Sequence, residues 1–299
     1  MEIRKLVEAI RADRESGAAE VARVCADAIG RSLAREQAPD AAAVRAELAA
    51  LGRALIDAQP AMAPVRGVAA AAIAGATGAD AAAARSGAAE AVAAYLHRLE
   101  KAPVEAGRRA AALLRPGARV LTLSRSSTVQ AALLEAGRAG PLAVVCLESR
   151  PTLEGRRLAA ELSAAGINAT LAPDAAVAEL MNGCALLLVG ADSIGDHGLV
   201  NKIGTHAAAL AARELGVPAY AVADSTKLLP PGVPQPVSDE RPGPEVWSEA
   251  PAAVGIWNRY FEATPLRLFT GVVLEDAIIS GPEVAARRAG LREPAELQG

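Results

Sequence analysis

"RPGARVLTLSRSSTVQAALLEAGRAGPLAVVCLE", residues 115–148, is where the chain changes its grammar. Pro116 and Gly117 make a turn, and a short apolar run, 119–123, follows it. A Ser/Arg/Thr cluster interrupts that run. Helical periodicity then holds over roughly 127–138, and a second apolar run covers 142–148. Strand, helix and strand in so short a span predict a parallel β-α-β unit. The pattern repeats downstream: helix 153–165, strand 167–172, helix 174–182, strand 184–190, helix 202–215 and strand 218–224. Alternation of this kind predicts an α/β fold with a Rossmann-like, doubly wound, mostly parallel sheet. Ligands of such sheets bind where the strands end.

Upstream of this stretch the chain reads as helix after helix. "VEAIRADRESGAAEVARVCADAIGRSLARE" and "AAAVRAELAALGRALIDAQP" place Ala, Val, Leu and Ile at three- and four-residue spacing, with Arg and Glu between them. "EQAPD", "AQPAMAP" and "GATGAD" break the pattern. The expectation is a helical N-terminal domain over residues 1–115 and a Rossmann-like phosphosugar-binding domain over 116–299. Residues 229–245 carry six prolines and read as an excursion rather than an element. The apolar stretch 268–279 is expected to extend or cap the sheet.

Composition narrows the function classes. Apolar residues make up 52% of the 299 positions and aromatics 2%, so the core must be built from Ala, Val, Leu and Ile. The net charge of -3 gives no basic footprint, and stacking aromatics are scarce; no nucleic-acid partner is expected. Three cysteines without a CxxC pair and three scattered histidines predict no disulfide, metal or cofactor. The charged "MEIRKLVEAIRADRESG" does not read as a signal peptide, and no run of about 18 uncharged apolar residues reads as a membrane span. A soluble cytoplasmic protein with no membrane partner is expected.

The chemistry is sought at the strand ends. The first ends in "TLSRSSTV", where the free N–H groups of a helix start and the hydroxyls of Ser126, Ser127 and Thr128 suit a phosphate; the alternative is a plain N-cap by Ser126 or Ser127. The second ends in "LESRPTLEG", where Arg150 reads either as a two-pronged anion clamp or as a partner for Glu148. The fourth ends in "VGAD", where Asp192 is a candidate general acid or base, or a loop cap. His197 reads as a solvated turn residue, and His206 lies inside the next helix. Lys202 is expected at that helix's start, an awkward place for a cation unless an anion sits there too. "ADSTK" puts Lys227 after the next strand.

"GADSIGDHGLVNKIGTHAAALAARELGVPAYAVADSTK", together with "ESRPTLEG" and "NRYFEATPLRLFTGVVLEDAII", resembles a known signature. It is that of the superfamily joining methylthioribose-1-phosphate isomerase, ribose-1,5-bisphosphate isomerase and the alpha, beta and delta subunits of translation initiation factor 2B. The resemblance covers essentially the whole chain. It implies a helical domain on a Rossmann-like domain, and a homodimer or higher homo-oligomer. In the isomerase branches an aldose 1-phosphate becomes a ketose 1-phosphate through a cysteine and the Asp of GAD. By that resemblance Asp192 is the acid/base, and Ser126, Ser127, Thr128, Arg150, Asn201, Lys202 and Lys227 hold substrate or phosphate.

The departures shape the functional expectation. The family's cysteine falls on Ser124, whose hydroxyl has a pKa far above a thiol's ~8.5. Two arginines of the bisphosphate isomerases fall on Ser16 and Gln59, with Arg66 and Arg125 the candidates to replace them. The main expectation is an initiation factor 2B-like protein whose pocket binds a phosphorylated sugar or a nucleotide, without cysteine-dependent turnover. The alternative is a sugar-phosphate isomerase, an intramolecular oxidoreductase of the ribose-1,5-bisphosphate or methylthioribose-1-phosphate type, using Asp192 and Ser124.

Overall fold

The computed structural model describes residues 3–13, 16–35, 38–237 and 240–298. Parts of the expected N-terminal helices (14–15, 36–37) and of the proline-rich excursion (238–239) lie outside them. The chain divides into two units. A helical unit takes Met1–Lys101, Thr226–Gln235 and Arg288–Gly299, and a sheet unit takes Ala102–Ser225 and Pro236–Arg287.

The helical unit contains α1 (Ile3–Ala12), α2 (Ala18–Leu33), α3 (Ala41–Ala58), α4 (Ala63–Gly75) and the first part of α5 (Ala81–Ala111). Asp40 starts α3 by accepting the Ala43 N–H at 2.8 Å. Pro64 sits in the first turn of α4, where its missing N–H costs nothing. Val21, Ile29, Leu48, Leu55, Val65, Ile73 and a field of alanines form the core. The C-terminal segment is held to this unit by charge. Arg66 donates to Glu293 at 2.6 Å, with the Glu293 side chain 2% exposed, and Arg45 pairs with Glu296. Arg53 donates to the Glu296 carbonyl.

The sheet unit follows the predicted alternation: β1 (Arg119–Leu123), α6 (Ser127–Ala139), β2 (Ala143–Leu147), α7 (Glu154–Ala164), β3 (Asn168–Ala172), α8 (Val177–Met181) and β4 (Leu186–Val189). After β4 come β5 (Ser193–Gly195), β6 (Gly198–Lys202), α9 (Thr205–Glu214), β7 (Ala219–Val222), β8 (Phe261–Thr264), β9 (Gly271–Val273), β10 (Ile278–Ile279) and α10 (Gly281–Ala289). Among the described residues seven strands form a sheet in the order β10-β9-β7-β4-β1-β2-β3, parallel except for β10. The central strands β1, β2 and β4 are buried almost throughout, which explains their unbroken apolar runs, whereas β3 at the edge is largely exposed. A helical region followed by a mostly parallel sheet is the fold class expected from the sequence.

One local expectation fails. The stretch after Asp192 is not a loop leading into a helix at 202. It is a hairpin of β5 and β6, joined by β8 into a second, antiparallel sheet. Lys202 ends strand β6, and α9 begins at Thr205. Three-residue β5 is too short for a period-2 signal, and the glycines around it read as turn. Among the described residues no helix is long and apolar enough to cross a membrane.

Glu293→Ala leaves the buried Arg66 guanidinium without its counter-charge. The expected loss is about 3 kcal/mol in urea unfolding. An unchanged midpoint would show that the pair does not secure the C-terminal segment.

Candidate functional site

The order of strands reverses at β1: β2 and β3 lie to one side, β4 and β7 to the other. The crevice at the ends of β1 and β4 is therefore the switch point of the sheet. Gly190, just past β4, packs there against Ser126: a Cβ on Gly190 would lie 2.6 Å from Ser126 Cβ and 3.8 Å from Asn201 Oδ1. Only glycine permits this approach, and it brings the ends of β1, β4 and β6 together. Ser124 stands two residues before Ser126, and Asp192 two residues after Gly190. Ser126 caps α6, its Oγ accepting the Val129 N–H at 3.4 Å. Ser127 is exposed and Thr128 buried.

The ends of β1, β2 and β3 are sewn by polar groups that the sequence pattern did not single out. The Ser124 N–H donates to Ser149 Oγ at 2.6 Å, and Ser149 Oγ donates to the Leu147 carbonyl at 3.1 Å. Asp174 accepts the N–H groups of Ser149 and Arg150 at 2.8 and 2.7 Å. Ser124, Ser149 and Leu153 all have φ near +60°, a region that side-chain-bearing residues rarely occupy. Strain of this kind gathers where surrounding contacts over-determine the backbone, and functional sites are common among such places. Gly155 completes the turn: a Cβ there would lie 1.8 Å from the Leu147 carbonyl oxygen.

Lys202 is deeply buried, with its side chain 2% exposed. Its Nζ donates to Glu154 Oε1 at 2.7 Å and to Thr152 Oγ1, and lies 5.0 Å from the Tyr260 ring centre. Arg241 lies 4.9 Å from the same ring. The Tyr260 hydroxyl donates to Glu245 at 2.6 Å. Burial first, and then that hydrogen bond, push the phenol up to about 12, so it remains a donor at neutral pH. Asn201 Nδ2 donates to Thr205 Oγ1 at 3.0 Å, and Thr205 Oγ1 donates to the Lys202 carbonyl at 2.6 Å.

The anion expected at the start of α9 exists, and the chain supplies it. Glu262 on β8 accepts the N–H groups of Gly204 and His206, both at 2.8 Å. The paradox of a lysine at a helix start dissolves: Lys202 lies on a strand and answers to Glu154, while Glu262 serves the helix.

Other expectations resolve individually. Arg150 donates to the Val246 carbonyl at 2.7 Å and is exposed, and Glu148 pairs with Arg156 at 2.9 Å instead. Asp192 N–H donates to the Val200 carbonyl at 2.9 Å, so its backbone belongs to the hairpin. His197 is exposed between β5 and β6. Lys227 closes a short 3-10 turn, Ser225–Lys227, and its segment belongs to the helical unit. The candidate replacement arginines are engaged: Arg66 with Glu293, and Arg125 with Glu161 at 2.7 Å. That hydrogen bond from Arg125 is the main cause holding the Glu161 carboxyl below its usual range. Gln59 donates to the Ile10 and Asp13 carbonyls at 2.8 and 3.0 Å, closing the end of α1. No cysteine supplies the missing thiol. Cys146 is buried within β2, and burial pushes its thiol up to about 12, as it does for Cys25.

Fold and strand-end constellation define a class, the superfamily of sugar-phosphate isomerases and initiation factor 2B subunits. The chain belongs to the Initiation factor 2 subunit family, whose model matches residues 14–280. It is 38% identical over 157 residues to methylthioribose-1-phosphate isomerase of Oleidesulfovibrio alaskensis, spanning 48% of this chain and 44% of that protein. It is 36% identical over 156 residues to 5-deoxyribose 1-phosphate isomerase of Moorella thermoacetica, again 48% and 44%. The chain thus aligns with less than half the length of these curated relatives. The solved translation initiation factor eIF-2B of Pyrococcus horikoshii OT3 is 26% identical with a TM-score of 0.78, covering 94% of this chain and 98% of that one. 5-Methylthioribose 1-phosphate isomerase of the same organism shares the fold at 21% identity, with a TM-score of 0.70 and coverage of 96% and 87%.

Glu262→Ala removes the charge and both hydrogen bonds at the start of α9. Stability is expected to fall by about 1–2 kcal/mol in urea unfolding. No change would mean that these contacts do not anchor β8 to α9.

Proposed function

We propose that the sheet unit carries an aldose-1-phosphate to ketose-1-phosphate isomerase site. The observation that carries this reading is the meeting of three strand ends around Gly190, which gathers Ser126 and Asn201 and flanks them with Ser124 and Asp192. The similarity to proteins named methylthioribose-1-phosphate isomerase, at up to 38% identity, supports it. Ribose-1,5-bisphosphate and methylthioribose 1-phosphate define the type of substrate. The reaction balances within one molecule. Hydrogen leaves C2 and arrives at C1, the 2-hydroxyl becomes the carbonyl, and its proton ends on the freed ring oxygen. C2 is oxidised and C1 reduced, so the step needs no external oxidant. Asp192 is assigned the proton transfer, and the Ser124 hydroxyl a hydrogen bond to the reacting oxygens. Ser126, Ser127, Thr128, Arg150 and Asn201 are assigned to the ligand's phosphate and hydroxyls. The protein is taken to work in the cytoplasm as a homodimer or larger homo-oligomer.

A second reading is favoured by the family resemblance, which sets Ser124 in place of a thiol, and by the burial of Cys146, which pushes its thiol up to about 12. On that reading the chain is an initiation factor 2B-like protein that binds a phosphosugar or a nucleotide without converting it.

The two separate in one assay, ketose formation from a panel of aldose 1-phosphates. Turnover is expected in the unaltered chain, with a loss of about 10²-fold or more in Asp192→Asn. Ser124→Cys is expected to raise it by about 10–10²-fold, because a thiol is far the better acid/base. Binding without turnover in both the unaltered chain and Ser124→Cys would establish the second reading.

A further inference from the structure

We infer that Ser149 is a positioning residue for Ser124. Its buried hydroxyl, anchored through Asp174, holds Ser124 in the left-handed backbone conformation that takes the Ser124 side chain out of the row of β1 and into the site. The inference rests on the reading of the site as that of a sugar-phosphate isomerase.

Strand β1 runs unbroken to Leu123, and its side chains alternate from face to face. Continued in extended form, the chain would set Ser124 in one row with Val120 and Thr122. Both of those are buried in the sheet unit, at 0% and 1% exposure. A φ of +60° removes Ser124 from that row. Glycine would take this conformation freely, whereas a serine has to be held in it.

Ser149 supplies the hold. Its Oγ accepts the Ser124 N–H at 2.6 Å and donates to the Leu147 carbonyl at 3.1 Å. Its own N–H donates to Asp174 Oδ1 at 2.8 Å, and its carbonyl accepts the Leu153 N–H at 2.9 Å. Every polar group of Ser149 is therefore engaged. The other oxygen of Asp174 takes the Arg150 N–H at 2.7 Å, so one carboxylate fixes two successive peptide units. A hydroxyl fixed on this frame fixes the N–H that it accepts, and with it the φ of Ser124. Ser149 is 0% exposed, so it acts on a ligand only through Ser124. A supporting group of this kind raises the rate by pre-organising the reacting geometry rather than by binding substrate.

The test joins steady-state kinetics with amide hydrogen exchange, read by NMR, on the full chain carrying Ser149→Ala. The value of kcat for ketose formation is expected to fall by about 10–10²-fold, with KM held within about twofold. The Ser124 amide is expected to lose about tenfold of its protection, the scale of one hydrogen bond, while the amides inside β1 keep theirs. If Ser149→Ala does not fold, Ser149→Gly carries the same test, because glycine takes the φ of +64° at this position without strain. An unchanged kcat, a change confined to KM, or an unchanged exchange rate at Ser124 overturns the inference while leaving the isomerase reading intact. If neither the unaltered chain nor Ser124→Cys turns over any aldose 1-phosphate, the isomerase reading falls and takes the inference with it.

Discussion

An ammonium group withdrawn from water needs a counter-charge and hydrogen-bond acceptors, and Lys202 has obtained both from one turn of the chain. Thr152 and Glu154 can reach it only because the backbone between β2 and α7 folds back sharply, with Ser149 and Leu153 held at positive φ. Asp174 fixes the start of that turn from the end of the neighbouring strand β3. Ser149 in turn fixes Ser124. The demand of one buried charge is thus tied to the shape of three strand ends, including the backbone at Ser124.

Topology supplies the rest. A strand order that reverses at β1 leaves a crevice at its carboxyl end, and Gly190 lets β4 and α6 approach closely beside it. The small sheet of β5, β6 and β8 extends the rim and delivers Asn201 and Lys202 from a strand rather than a helix. Its register is backed by Glu262, which links β8 to the first N–H groups of α9. Charges at this rim are largely met by charges of the chain itself.

Much of this was legible in the residues. Apolar runs separated by amphipathic helices marked the strands of the main sheet, because buried parallel strands cannot carry polar faces. A cap by Ser126 or Ser127 was one of two readings of the serine cluster, and Ser126 takes that role. The hairpin was not legible: β5 is three residues long and its glycines imitate a loop. Nor were the partners of Lys202. Glu154 lies in the first turn of α7, where acids are common for a local reason, and its long-range role leaves no periodic trace. Glu262 sits on a strand 56 and 58 residues along the chain from the two N–H groups it accepts, a separation that local pattern reading does not bridge.

Serine at position 124 sets the site apart from a thiol-based isomerase, and it makes the account open to a direct decision. The central claim is that this edge of the sheet binds an aldose 1-phosphate and moves hydrogen from C2 to C1. The direct measurement is carbon NMR of ribose 1-phosphate labelled at C2, incubated with protein at near-stoichiometric concentration. The account predicts that the C2 alcohol signal gives way to a ketone signal, with the 1-phosphate retained. A C2 signal that stays unchanged on prolonged incubation, while the sugar demonstrably binds, would contradict it.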